Sequence, residues 1–290
     1  MVNKQAILII MHNNLWTLEK ILKLLDTEYF DIFIHIDKKS EIKIEDLKDI
    51  TMVKSKIFIY KHVDVQWADV SQIECELFLL EKAFNQGKYD YFHLISGADM
   101  PIKKAEEIFN FFNGVDKEFI HMDEGISQYR FDSVNYYNIL TKYRRNSTLI
   151  QIINRLFVLF QKLFKINRNK EPSHYKGGIN WFSITYEFSR YVLEKKEETL
   201  KDYGHTISGD EIFLQTLAYN SKFKEKLYKY DSNHTFADAM RHVDWNRGDP
   251  YIFRINDFQE LINSDCMFAR KFDEKIDKDI INKLYETLKN

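Results

Sequence analysis

Residues 6–37 read AILIIMHNNLWTLEKILKLLDTEYFDIFIHID and hold two apolar runs separated by a helical pattern. Residues 6–11 are apolar and rich in isoleucine, which is typical of a buried strand. Residues 15–25 have apolar side chains at helical spacing, and residues 29–37 form a second apolar run that stops at an acid. This order predicts a βαβ unit, in which two parallel strands are joined by a crossover helix.

The same alternation continues through the first half of the chain. Further strands are predicted at residues 56–60, 89–96 and 119–122, and helices at 70–84 and 104–112. A polar loop is predicted at 123–138. The sequence therefore predicts an α/β protein with a mostly parallel central sheet flanked by helices. His12, Asp37 and Asp99 each follow a predicted strand, at the edge where open α/β sheets bind ligands.

Composition excludes some classes of protein. The 290 residues include 42 basic and 44 acidic side chains, so no overall field attracts nucleic acid. Cys75 and Cys266 lack partners at metal-binding spacing and are expected to be small buried side chains. The first apolar run is too short to span a membrane and has no cleavage site, so it is interpreted as a strand and the location as cytoplasmic.

Residues 208–221, SGDEIFLQTLAYNS, form a Ser-Gly-Asp turn followed by a short amphipathic helix. Glu211 lies in its first turn, where a carboxylate could accept a proton from a bound hydroxyl. Ser208 and Glu211 also have the spacing of a capping box, in which the glutamate only bonds the backbone at the helix start. The spacing by itself leaves both interpretations open.

Residues 141–170 contain eight basic side chains and no acid. The basic residues are Lys142, Arg144, Arg145, Arg155, Lys162, Lys165, Arg168 and Lys170. Apolar residues recur between them at helical spacing, as in helices that lie on anionic bilayers. The same pattern would suit a helix whose apolar stripe packs on the sheet. We expect a basic amphipathic insertion with one of these two roles.

The sequence lacks the motifs that are typical of several reaction types. The sequence has no Walker loop, no G-x-G-x-x-G after the first strand, no G-x-S-x-G, and no paired histidines or cysteines at zinc spacing. Its only D-x-D, at residues 277–279, is expected on the solvated face of a charged terminal helix. Arg270 and Lys271 could stabilise charge on a departing phosphate without a metal.

Seven blocks in this order resemble a known family. They are HIDKKS (35–40), VQWADVS (65–71), YDYFHLISGADMPIK (89–103), GGINWFSIT (177–185), SGDEIFLQTLAYNS (208–221), RHVDW (241–245) and MFARKFD (267–273). The chain resembles the core-2/I-branching β-1,6-N-acetylglucosaminyltransferases and the peptide O-xylosyltransferases, which form glycosyltransferase family 14. This resemblance implies a GT-A-like fold, a UDP-sugar donor, and inverting transfer with no metal or other cofactor.

The resemblance also implies roles for donor-side residues. Glu211 matches the catalytic base that activates the acceptor hydroxyl. Arg270 and Lys271 match the basic pair on the UDP phosphates, which agrees with the chemistry of their side chains. His12 and Asp37 fall where the family holds the uridine. We expect these residues to line one cleft.

Other matches concern the sugar and the acceptor. Asp99 falls on the donor side of the cleft, although it could instead cap the helix that follows. Trp181 and Trp245 match acceptor-pocket aromatics, with core burial as the alternative for Trp245, and Asn180 stands where relatives often carry Asp or Gln. Residues 68–69, Ala-Asp, replace a pair that usually contains glycine, which predicts a different loop beside the donor.

The expected organisation is a catalytic domain over residues 1–273, containing the insertion at 141–170, and a charged helix at 274–290. The family's animal members have a membrane anchor and several disulfides. The chain is therefore interpreted as a bacterial, cytoplasmic member, at most peripheral on the inner membrane face. It is expected to transfer GlcNAc to a glycan or lipid-linked glycan of the cell surface. The alternatives are a UDP-xylose-dependent transferase and a non-catalytic protein that binds nucleotides or glycans.

Overall fold

The structure is a computed structural model that describes residues 4–48, 50–168, 170–229 and 235–289. Its strands are β1 (Lys4–Met11), β2 (Phe30–Ile36), β3 (Ile57–Tyr60), β4 (Tyr89–Ser96), β5 (Asp99–Pro101), β6 (Phe119–Ile120), β7 (Phe182–Thr185), β8 (Arg241–Val243) and β9 (Phe268–Arg270). Its α-helices are α1 (Leu15–Leu25), α2 (Ser71–Gln86), α3 (Ala105–Phe112), α4 (Gln128–Asn135), α5 (Thr148–Leu163), α6 (Tyr186–Glu194), α7 (Lys196–Tyr203), α8 (Phe213–Tyr219), α9 (Phe258–Asn263) and α10 (Lys278–Leu288).

The central sheet has six strands in the order β3-β2-β1-β4-β7-β6. Strands β1 to β4 are parallel, and β7 runs antiparallel to both β4 and β6. Helices cover both faces of this sheet. The predicted α/β class, the mostly parallel sheet and the GT-A-like arrangement are therefore confirmed.

The strands alternate their side chains between two apolar cores because successive residues point to opposite faces. Ile7 and Ile9 lie in a core with α1, α3 and α10, whereas Ala6 and Leu8 lie in a core with α2, α6 and α8. Both cysteines are free and buried, as predicted. In the described ranges, no helix is long and apolar enough to cross a bilayer.

A second, three-stranded sheet in the order β5-β9-β8 is joined to the first by the buried Arg241. Its Nη2 donates to the carbonyls of Leu94 (2.9 Å) and Phe182 (2.7 Å), and its guanidinium lies 4.7 Å from the Phe268 ring centre. Burial lowers the pKa of Arg241 to about 10, so the side chain stays charged at neutral pH. Arg241 thereby holds the small sheet beside the β4 and β7 strands.

One local prediction is wrong. The predicted polar loop at 123–138 contains α4, which begins where the Ser127 hydroxyl accepts from the Arg130 amide (3.3 Å). The D-x-D motif at 277–279 lies at the solvated start of α10, as predicted, with Lys278 and Asp279 exposed. The Asp277 carboxylate accepts from the backbone amides of Asp279 (2.9 Å) and Ile280 (3.0 Å), as a helix cap does.

Candidate active site

Polar residues that follow two neighbouring strands meet at the carboxyl edge of the sheet. His12 and Asp37 follow the adjacent strands β1 and β2, and the Asp37 amide donates to the Met11 carbonyl (2.8 Å). The Ser40 hydroxyl donates to the His12 carbonyl (2.7 Å), which ties the two loops together. The Asp37 carboxylate is buried and accepts from the Lys39 amide (3.1 Å). The two predicted uridine ligands thus lie side by side.

Glu211 does not cap a helix. Ser208, the residue before this turn, has φ of 53° and makes no capping hydrogen bond through its side chain. The Glu211 Oε2 instead accepts from Nη2 of Arg130 at 2.8 Å. Oε1 has no hydrogen-bond partner in the described part of the chain, and the side chain is 41% exposed. The carboxylate is therefore oriented by one oxygen and accessible through the other.

Arg130, which the sequence did not indicate, organises this carboxylate. It projects from α4 and contacts Asp123 and Glu211 as well as the Gly178 carbonyl (3.3 Å). Burial opposes the charge on Arg130, but the hydrogen bonds and charges of Glu211 and Asp123 outweigh it and raise its pKa. The guanidinium is thus a permanent cation that orients Glu211. A lone arginine in a polar segment carries no sequence signal for this role.

Hydrogen bonds also hold the Arg270 guanidinium, through one of its nitrogens. Its Nη1 donates to the Ser96 hydroxyl and to Asp99 Oδ1, both at 2.7 Å. The guanidinium lies 4.4 Å from the Trp181 ring centre. Nε and Nη2 make no hydrogen bond to the described residues, so two donor groups are available to an anion.

Asp99 holds Arg270 and does not cap α3. It lies in β5 opposite Arg270, and its second oxygen accepts from the Ser96 amide at 2.5 Å. The residue at the start of α3 is Lys104. Lys271 follows Arg270 directly and is fixed through its backbone, because its carbonyl accepts from the Phe253 amide (3.0 Å).

One loop, residues 177–181, touches both groups. The Gly178 amide donates to the Glu211 carbonyl (2.9 Å), and Trp181, three residues later, packs on Arg270. Between them, the side-chain Nδ2 of Asn180 donates to the buried Glu76 carboxyl (3.3 Å). The loop therefore links the Glu211 turn to the Arg270 side chain.

Two buried carboxyl groups lie behind this loop. Asp210 accepts from the Gln72 side chain (2.9 Å), and its pKa is raised to about 7, first by burial and then by the charge of Glu211. Burial, followed by the charge of Asp210, also raises the pKa of Glu76 well above its usual value. Sequence reasoning missed both residues, although Asp210 adjoins Glu211 in the SGDE turn.

The loop with the unusual Ala-Asp pair touches the Glu211 turn. Ala68 has φ of 61°, a region that glycine adopts without strain, which explains why a glycine would suit this position. Its carbonyl accepts from the Ser208 amide (3.0 Å). Within the loop, Trp67 is 54% exposed.

Trp245 lies two residues beyond β8 and is 44% exposed, so it is not a core residue. Its ring centre is 6.3 Å from that of Phe236, which in turn lies 4.7 Å from His121. His121 Nε2 is 3.8 Å from Asp123 Oδ1. These contacts connect Trp245 to the ion-pair cluster that holds Glu211.

The candidate residues lie outside the cavity beside α1. This cavity has a volume of about 620 Å³ and is lined by residues such as Trp16 and Glu274, with none of the candidate residues. The candidate site is therefore defined by its chemical groups and not by this cavity. No group of three or more His, Cys, Asp or Glu side chains in the described ranges is arranged to hold a metal ion.

The chain is similar in sequence to known proteins over most of its length. Residues 6–262 match the family model described as "Branch: Core-2/I-Branching enzyme". Similar proteins include a xylosyltransferase from Ciona intestinalis, 24% identical over 92% of this chain and 32% of that protein. Xylosyltransferase 2 from Rattus norvegicus is 23% identical over 91% and 31%, and xylosyltransferase sqv-6 from Caenorhabditis elegans is 22% identical over 86% and 32%.

The aligned part is about a third of the length of each of these relatives. The family match covers most of the chain and includes the whole 177–181 loop and the Glu211 turn. The chain therefore belongs to the Core-2/I-Branching enzyme family of glycosyltransferases.

Proposed function

We propose that the protein transfers a sugar from a UDP-sugar to a glycan hydroxyl in a single inverting displacement. The observation that carries this proposal is the 177–181 loop, which contacts Glu211 at one end and Arg270 at the other. Such a transfer needs a base beside the acceptor oxygen and positive charge beside the leaving phosphate. It needs no protein nucleophile.

In this mechanism, Glu211 Oε1 accepts the proton of the acceptor hydroxyl as its oxygen attacks the anomeric carbon. The bond from that carbon to the phosphate oxygen breaks, and UDP departs with the electron pair. The Nε and Nη2 groups of Arg270, with the Lys271 ammonium, stabilise the developing charge. Arg130 and Asp99 act as positioning residues, since each holds one of these groups through a hydrogen bond of 2.8 Å or less.

The proposal also assigns roles to the remaining predicted residues. His12 and Asp37 bind the uridine at the ends of β1 and β2, where they lie together. Trp245 offers an exposed ring to the acceptor, and Asn180 and Trp181 line the approach to it. Because Trp181 also packs on Arg270, we expect its replacement to affect both donor and acceptor.

The proposed reaction is independent of metal ions. Two adjacent basic residues would supply the charge that a cation would otherwise provide. Support comes from Nε and Nη2 of Arg270, which make no hydrogen bond to the described residues at the end of β9. Activity is expected to be the same with EDTA as with added manganese, and a strict requirement for manganese would refute this part.

We propose GlcNAc as the transferred sugar. The named function of the similar proteins favours xylose as the second candidate, because those relatives are xylosyltransferases. Xylose lacks the hydroxymethyl and N-acetyl groups that a GlcNAc pocket must accept, so the two donors are distinguishable. Release of UDP from UDP-GlcNAc, UDP-xylose and other UDP-sugars, with a glycan mixture as acceptor, tests the proposal. Binding of UDP with no turnover of any donor would instead indicate a non-catalytic binding protein.

The proposed setting is the synthesis of a bacterial surface polysaccharide. A lipid-linked glycan would be the acceptor, and the protein would act in the cytoplasm at the inner face of the membrane. Support for this setting comes from the exposed apolar side of α5. Transfer to extracted lipid-linked glycans, compared with the same glycans released from lipid, would test the acceptor.

A further inference from the structure

Helix α5 is oriented with its apolar side toward solvent. Six of its residues form what we call the α5 apolar face, and each is between 47% and 77% exposed. They are Leu149, Ile152, Leu156, Leu159, Phe160 and Leu163. The polar residues Asn154 and Gln161 on the other side are buried. This is the reverse of the usual packing of an amphipathic helix on a protein core.

Hydrogen bonds to one stretch of backbone fix this orientation. Asn154 accepts from the Ile139 amide (2.8 Å) and donates to the Asn138 side chain (2.9 Å). Gln161 accepts from the Tyr137 amide (2.9 Å) and donates to the Tyr137 carbonyl (2.8 Å). The helix is therefore attached to the protein through its polar side, and the apolar face is a built feature of the surface.

The charges around the helix fall into two sets. Lys142, Lys162 and Lys170 pair with Asp64, Asp132 and Asp202, and Arg168 donates to the backbone and to Thr206. These residues hold the segment in place, and the Arg145 side chain lies outside the described part. By contrast, Arg155 and Lys165, which are exposed, and Arg144, which is half-buried, form no ion pair with the described residues. Two exposed cations thus accompany the apolar face, and residues 141–170 include no acid.

We propose that the α5 apolar face inserts into the surface of an anionic lipid bilayer. A single helix with an uninterrupted apolar side suits insertion parallel to the membrane plane, with the cations at the headgroups. A contact between two copies of this face would instead bring Arg155 and Lys165 of each copy together with no opposing acid from residues 141–170. The charges therefore favour an anionic partner over a second copy. This surface does not depend on the transfer reaction.

Flotation of the full chain with vesicles tests the proposal. We expect the protein to float with phosphatidylglycerol and phosphatidylcholine vesicles and to bind pure phosphatidylcholine vesicles less. Leu156→Ser with Leu163→Ser should reduce partitioning by roughly 10-fold or more, because two exposed leucines no longer enter the bilayer. Arg155→Gln with Lys165→Gln should reduce binding to the anionic vesicles by about 10-fold and leave binding to neutral vesicles unchanged.

The matched control is Val53→Ser with Ile276→Ser, which removes two exposed apolar side chains from outside α5. This variant should partition as the wild type does. Thermal melting shows whether each variant is folded, and all three should melt within a few degrees of the wild type because the changed side chains are exposed. Equal flotation of the Leu156/Leu163 variant and the wild type would overturn the proposal. So would a wild-type dimer in lipid-free ultracentrifugation that becomes a monomer in that variant, with no flotation of either.

Discussion

Replacing Glu211 with glutamine removes the proton acceptor and preserves the shape of the side chain. The glutamine oxygen can still accept from Arg130 Nη2, which lies 2.8 Å from the Glu211 carboxylate. A positioned general base contributes about 100-fold to 10,000-fold to a rate, so we expect the rate of transfer to fall by that factor. UDP affinity should be unchanged, since Arg270 is held by Ser96 and Asp99 and not by Glu211.

The effect of this substitution on folding should be small. Both partners of the lost ion pair are partly exposed, with 41% of the Glu211 side chain and 21% of the Arg130 side chain accessible. Ion pairs of this kind contribute about 1 kcal/mol or less to the free energy of unfolding. We therefore expect the melting temperature to fall by about 2 °C.

The assay measures UDP release at saturating concentrations of the donor that the panel identifies, and calorimetry measures UDP binding in parallel. Glu197→Gln is the matched control. Glu197 lies on α7 and is exposed, so the same chemical change there should leave the rate and the melting temperature unaltered. Turnover of Glu211→Gln at the wild-type rate would refute the assignment of the base. Loss of UDP binding together with turnover would show that Glu211 shapes the donor site.

Three other substitutions test neighbouring parts of the site. Arg270→Lys should weaken UDP binding by about 10-fold or more in calorimetry, because lysine cannot reproduce the planar contacts with Trp181 and phosphate; equal affinity would contradict a phosphate role. Asp210 has a pKa raised to about 7, so the native state binds more protons than the unfolded state between about pH 4 and pH 7, and stability falls as pH rises through that window. Asp210→Asn should remove up to about 1.4 kcal/mol per pH unit of this slope in urea unfolding at pH 5, 6 and 7, and an unchanged slope would disprove the burial argument. Gly178→Ala would place a Cβ 2.1 Å from the His121 carbonyl oxygen, so the loop must shift; we expect slower transfer and lower stability, and wild-type values for both would show that the loop position is not required.

The main sheet could be predicted because its strands are buried on both faces and therefore appear as continuous apolar runs. In β1, Ile7 and Ile9 belong to one core and Ala6 and Leu8 to the other, so the whole run must be apolar. The limits of β4 at Tyr89–Ser96 and of α1 at Leu15–Leu25 follow from such patterns and from the polar residues beside them. These elements were predictable because each has a strong local sequence pattern.

Helix α4 could not be predicted from pattern because it has little apolar periodicity. Only Ser133 and Val134 are buried in its eight residues. It is held in place by polar contacts to distant segments, among them the Arg130 contacts and the hydrogen bond from the Ser133 hydroxyl to the Ile207 carbonyl (2.6 Å). Contacts between residues far apart in sequence leave no trace in a single chain. The missed element is therefore the one that orients Glu211.

The orientation of α5 shows a second limit of periodicity. The pattern establishes that the helix has an apolar side, but not which direction that side faces. Asn154 and Gln161 decide the direction, because they satisfy the amides of Ile139 and Tyr137. Turning the apolar face inward would leave those backbone groups without their partners, and an unsatisfied buried polar group costs about 1–3 kcal/mol. Residues 137–139 follow α4 directly, so the segment that positions Arg130 against Glu211 also determines which side of α5 faces solvent.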